Sequence, residues 1–134
     1  MAIYSGNQFN LNMQAGEDLS SYQYRVMEAD TSGGAPQVQL TTAASSLTLV
    51  GILQDDSDTV GEPASVCVMG ETKVAACAAT AITYGCHLKV NGTGYAVVGS
   101  SGTTNTWGRA LEALASGTGI IRAFVAFTGW NDPS

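Results

Sequence analysis

The segment LQDDSDTVGEP, residues 53–63, gathers Asp55, Asp56, Asp58 and Glu62 in a chain in which only 12% of residues are charged. Carboxylates at this density suit two chemistries, oxygen ligation of a divalent cation and general acid/base work. Asp56, Asp58 and Gly61 occupy places of the calcium-loop pattern D-x-[DN]-x-[DN]-G-x₅-E, but Val60 stands where an oxygen ligand belongs and Cys67 where the closing glutamate should be. A catalytic carboxyl pair needs one member in apolar surroundings that raise its pKa, whereas Ser57 and Thr59 keep this loop polar. The pattern fits a solvated loop between strands. His87, the single histidine, follows Cys86 and invites a thiol–imidazole reading. Neighbours on a strand point to opposite faces, so a dyad would need Cys67 or Cys77 to approach from another strand. A surface or interface histidine fits better. The expected assignment is therefore no catalytic residue, no metal ligand and no cofactor.

The wider composition narrows the function classes. The chain has 134 residues, enough for one domain with a genuine core, and 45% of them are hydrophobic, which excludes a disordered tail. Five basic residues face 11 acidic ones for a net charge of −6, and Arg25, Lys73, Lys89, Arg109 and Arg122 do not cluster in sequence. Neutralising phosphates takes several cations on one face, so no nucleic acid is expected as a partner. No membrane partner is expected either, because no apolar stretch approaches the length of a span and the start, MAIYSGNQFNLNMQAGED, carries no secretion signal. Cys67, Cys77 and Cys86 lack CxxC spacing and are odd in number, so they read as small hydrophobes rather than a disulfide framework or zinc site. Free thiols suit synthesis in a reducing cytoplasm.

The elements that must position these residues read as strands. Phe9, Leu11 and Met13 alternate with polar neighbours, and Tyr22, Tyr24 and Val26 do the same in SSYQYRVMEA. SLTLVGILQ is apolar on both phases, the mark of a strand covered on both faces, with Gly51 as a bulge or bend. PASVCVMGETKVAAC reads as two strands joined by a tight hairpin at Gly70-Glu71, with Pro63 tolerated at the first strand position. CHLKVNGTGYAVV is a second hairpin turning at Asn91–Gly94. In WGRALEALASGTGIIRAFVAF, Trp107, Leu111 and Leu114 have helical spacing, but the short run between glycines favours a strand, with Ser116–Gly119 as the turn before another. Neither glycine-rich turn precedes a phosphate-binding helix. Strands with turns about every 8–12 residues predict an all-β barrel or sandwich with at most short helical turns. The expected division is an N-terminal arm and first strand over residues 1–15 and one β-rich domain over 16–134.

The phrases VGILQDDSDTVGEPASVCVMGETKVAACAATAITYGCHLKV, NGTG and WGRALEALASGTGIIRAFV, in this order from Val50 to Val125, resemble the small capsid decoration, or cement, proteins of tailed bacteriophages. GILQDD followed by GEPASVCVMGETKV and a later GRALEA is the most specific part. The resemblance implies a β-tulip-like domain on the outer surface of the virion head, a homotrimer over local three-fold positions that clamps the major capsid protein. An acidic, glycine-rich β chain with no credible active site agrees with a structural module. The competing expectation is a tail- or fibre-associated β module that binds a host glycan. Capsid contact is expected from isolated apolar residues of the arm, Ile3, Tyr4 and Phe9, and from Trp130 near the end. Trp107 suits either an interface or the core.

Overall fold

A computed structural model describes residues 8–32, 36–99 and 106–127, and no helix occurs among them. They form nine strands: β1 (Gln8–Ala15), β2 (Val26–Asp30), β3 (Gln37–Leu40), β4 (Leu49–Leu53), β5 (Pro63–Ala78), β6 (His87–Val90), β7 (Ala96–Gly99), β8 (Gly108–Ala110) and β9 (Gly117–Ala126). All belong to one sheet, in the order β1-β3-β2-β4-β5-β7-β6-β8-β9, with further pairings of β1 and of β9 to β5. These extra pairings curl the sheet into two partly closed rings that share β5. One ring runs β1-β3-β2-β4-β5 and the other β5-β7-β6-β8-β9. Each is sealed by a thin parallel seam, Gln14–Gln37 and Ala15–Val38 in the first and Ala76–Ala96 in the second. The all-β expectation holds.

Strand alternation feeds two cores from the same residues' neighbours. Val66, Leu53 and Met27 pack with Ala15, Leu19, Val38 and Ala64 inside the first ring. Cys67, Ile52 and Val26, each next to one of those, pack instead with Val74, Leu88, Trp107, Ile121 and Val125. Successive side chains on a strand point to opposite faces, so β2, β4 and the first half of β5 form a layer covered on both sides. The doubly apolar reading of SLTLVGILQ is this layer. Gly51 sits where β2 and β4 slip register, and a Cβ there would lie 2.5 Å from the Cys67 carbonyl oxygen. Only glycine lets the two backbones approach so closely.

Three strand expectations need correction. The hairpin at Gly70-Glu71 does not form, because β5 continues unbroken through it for 16 residues. Gly70 takes φ 117°, and an extra β5 residue lies between the partners of Phe9 and Asn10. The bulge shifts the strand's phase, so Ala64 and Val66 line the first core while Val74, Ala76 and Ala78 line the second. β1 supplies hydrogen-bond partners along the first half and β9 along the second, which removes any need for the chain to fold back. The second strand starts only at Val26, because the Tyr24 backbone is left-handed at φ 69° and Tyr22–Arg25 is a turn. Its Tyr24 N–H donates to the Leu53 carbonyl and its carbonyl accepts from Ala75 N–H, stitching the layer to the second ring. Finally, Gly108–Ala110 is a strand, but residues 111–116 leave the ladder, and Gly117 and Gly119 lie within β9 instead of a turn.

The Asn91–Gly94 hairpin forms as expected. Asn91 Oδ1 accepts from Thr93 N, Thr93 Oγ1 and Tyr95 N, each at 3.0 Å, and Gly94 takes φ 81°. Its tip docks on the first ring. Gly94 O accepts from Val26 N at 2.9 Å, and the Arg25 guanidinium, 4.1 Å from the Tyr95 ring centroid, donates to Thr93 O and Tyr95 Oη. Arg25 thereby ties the two rings together.

Candidate interaction face

The acidic loop satisfies itself. Asp55 Oδ2 accepts from Ser65 N at 3.1 Å and Oδ1 from Ser57 Oγ at 3.3 Å. Glu62 Oε1 accepts from Asp58 N at 3.0 Å and from Thr59 N at 3.2 Å. These are the bonds of a tight connection, in which carboxylates take up N–H groups that no strand can pair. The hollow that remains, about 480 Å³, is open and lined by Ser20, Asp55, Asp56, Ser57, Asp58, Glu62 and Pro63. Among the described residues, no three His, Cys, Asp or Glu side chains gather around a common point that could hold a metal ion.

The thiol–imidazole constellation is not assembled. Cys86 packs against the second core, while His87 opens β6 opposite Gly99 and Arg109. Cys67 lies in the doubly covered layer, where burial pushes its thiol up to about 11, and its Sγ–H donates to Met69 O. Such a thiol stays protonated at neutral pH and is inert as a nucleophile. Cys77 and Cys86 are half-buried and free.

A different set of residues is brought together on the outer side of the second ring. Pairing across four strands aligns Glu71, Phe124, Arg109 and His87 in one rung. Two residues along, Phe9, Met69 and Ala126 form the neighbouring rung on the same face. The inward alternates, Val125, Ala123 and Ile121, fill the core, so Phe124 and Ile120 are left 50% and 52% exposed, with Phe9 at 60% and Met69 at 46%. Single exposed hydrophobes are ordinary, but Phe9, Met69 and Phe124 on adjoining strands of one face make a patch that suits a partner, with Ile120 four residues further along β9. At its edge, His87, Thr106, Trp107, Gly108, Arg109, Phe124 and Ala126 line an open cleft of about 250 Å³. Arg122 is neutralised beside it, with Nη1 2.8 Å from Glu71 and Nε 3.9 Å from Glu112.

Of the residues singled out for capsid contact, Phe9 belongs to this face, while Ile3, Tyr4 and Trp130 lie outside the described residues. Trp107 is a core residue, 2% exposed and stacked on Phe127 at 4.9 Å between ring centroids. The sequence reading assigns no interface role to Met69, Phe124, Ile120 or Arg109. Their signal was the polar phase of β9 broken by large apolar residues, Ile120 and Phe124 alternating with buried ones.

No protein-family model matches the chain, and no curated protein matches it. Among solved structures, the chain is similar to the N base of the head fiber gp8.5 of bacteriophage phi29. The TM-score is 0.60 at 15% identity, covering 89% of this chain and 96% of that one. The likeness extends over most of both chains, and what it establishes is the fold: this chain folds as the base of a phage head fiber does.

Proposed function

We propose that the protein is a structural component of a phage head, seated on the outer surface of the capsid, where it cements neighbouring major capsid subunits. The observation that carries this reading is the fold shared with the phi29 head-fiber base over 96% of that chain, a likeness to a whole domain rather than to one hairpin. The phrases from Val50 to Val125 that resemble decoration proteins support it independently of the fold. So does the outer face, because Phe9, Met69, Ile120 and Phe124 offer apolar area on a rigid sheet. The role asks for no catalysis and no cofactor. Its partners are the major capsid protein and two further copies of this chain, and neither nucleic acid nor a membrane takes part. A homotrimer on a local three-fold position would present three such faces at once, and linking weak contacts raises avidity roughly 10²–10⁴-fold.

The same likeness favours a second reading, a fibre-associated module that binds a host glycan. Sugar binding draws on exposed aromatic faces; Trp107 is buried against Phe127, so the rings that could serve it are those of Phe9, Tyr84 and Phe124. Quantitative mass spectrometry of purified virions separates the two. A copy number comparable to the major capsid protein, with purified protein rebinding heads that lack it and raising their thermal resistance, is expected of cementing. A few copies per virion, or location on the tail, would overturn it.

A further inference from the structure

The cleft on the outer face of the second ring gathers groups of charge opposite to that of the molecule. The chain has 11 acidic residues and a net charge of −6, yet its one histidine and one of its five basic residues stand side by side in the cleft beside Phe124. Among the described residues, none that lines that cleft is a carboxylate. Among the described residues, both ion pairs belong to Arg122, so Glu71 and Glu112 are engaged there and no acid lies within ion-pair distance of Arg109. Beside the two cation-capable groups lie the exposed Phe124 ring and, one rung on, Met69 and Phe9.

We infer that this cleft receives an acidic protein segment from another chain, a carboxylate against Arg109 and His87 with an apolar side chain of the same segment laid on Phe124. That the segment belongs to a capsid subunit rests on the proposed function; that the cleft accepts an acidic segment does not. Three features select this occupant. A volume of about 250 Å³ takes one or two side chains and falls below the roughly 300 Å³ at which small-molecule sites begin. Arg109 presents a planar fork matched to a carboxylate, and the neighbouring Phe124 supplies apolar area, a pairing typical of protein interfaces. One arginine and one histidine are too few for a polyphosphate backbone, whose binding depends on neutralising many charges. The chain's own acidic loop is the competing source: Asp55 and Glu62 already accept hydrogen bonds from Ser65, Asp58 and Thr59, while Asp56 is free among the described residues, and sedimentation of the free protein separates a second copy from another chain.

The test uses the full chain, labelled with ¹⁵N, and two probes: a short blocked peptide alternating glutamate with leucine and phenylalanine, and the same peptide with glutamine at every glutamate. The acidic peptide is expected to shift the amides of His87, Arg109 and Phe124 and to bind roughly tenfold more tightly than its neutral counterpart. Arg109→Glu should abolish this preference and Phe124→Ser should weaken both peptides, while the remaining amide positions report that each variant is folded. Arg109→Gln provides a variant without reversed charge, expected to lose most of the preference. Equal binding of the two peptides, shifts centred elsewhere, or no binding would overturn the inference. Sedimentation of the free protein adds one outcome: self-association abolished by Arg109→Glu would overturn assignment to another chain and give the cleft to a second copy. Failure of the protein to locate to a phage head would leave the peptide result standing, so the two readings fail separately.

Discussion

The acidic loop and the outer face of the second ring contrast in how their charges are used. The loop concentrates four carboxylates within a few residues, and at least two of them are spent on N–H groups and hydroxyls of the loop and of the start of β5. On the outer face, the significant residues come from β1, β5, β6, β8 and β9, far apart in sequence, and their side chains point outward with no internal task. Local density of chemical groups therefore marks a turn here, whereas the surface suited to a partner is assembled by strand register. The reason is geometric. A short loop must satisfy its own backbone and draws on whatever acceptors it holds, while a sheet face is free of that duty because its backbone is already paired.

The contrast can be broken most directly by comparing binding with stability. Phe124→Ser combined with Met69→Ser should reduce binding to heads lacking the protein by roughly 10²-fold or more if three faces act together, and change unfolding free energy by about ±0.5 kcal/mol. Quantitative rebinding beside denaturant unfolding checks it, and undiminished binding would move the interface off this face. Stability should reside instead in the layer shared by both cores. Leu53→Ala removes a fully buried side chain from that layer and is expected to cost about 2–5 kcal/mol by urea unfolding.

Glu28 sharpens the comparison from within the first ring, because it is a carboxylate that is buried as well as bonded. It is 6% exposed, and it accepts from Gln39 Nε2 at 2.8 Å, Thr42 Oγ1 at 3.0 Å and Thr42 N at 3.3 Å. Burial pushes its pKa up, but the hydrogen bonds of Gln39, Ser46 and Thr42 outweigh burial and hold it below the ordinary glutamate value. A folded-state pKa below the unfolded one means that the unfolded chain binds more protons between the two. Glu28 therefore stabilises the fold fully above the ordinary glutamate range, and this contribution is lost as pH falls through the lowered folded value. Glu28→Gln should cost about 1–3 kcal/mol at neutral pH and flatten the acid limb of the stability profile, which unfolding from pH 7 to pH 3 measures.

The smallest effects separate the members of the acidic loop. Asp55→Ala and Glu62→Ala each remove an acceptor from backbone N–H groups and are expected to cost about 0.5–2 kcal/mol, the scale of a lost cap. Asp56→Asn touches no such bond and should stay within about ±0.5 kcal/mol. Calcium should not raise the melting temperature of the wild type. Equal effects of Asp55 and Asp56 substitution, or a chelator-sensitive melting temperature, would erase the distinction between spent and free carboxylates.

Much of the fold was legible in the sequence because it depends on neighbours along the chain. Asn91-Gly92-Thr93-Gly94 dictates its own turn, Pro63 marks a strand start, and the apolar run around Ile52 and Leu53 announces burial on both faces. The same local logic failed at Gly70. Apolar residues alternate in one phase on both sides of it, which a continuous strand and a hairpin share, and only β1 and β9, arriving from opposite ends of the chain, decide for continuity. Tyr24 failed for a related reason: its alternation suited a strand, but carbonyl and N–H partners on Ala75 and Leu53 hold it in a left-handed turn. Composition and period alone determined that this chain is all-β, acidic and rich in turns. Tertiary structure decided that β5 closes two rings, and that Phe9, Met69, Phe124, Arg109 and His87 share one surface, because cross-strand register between distant segments is set by packing two cores at once and is written in no single stretch of sequence.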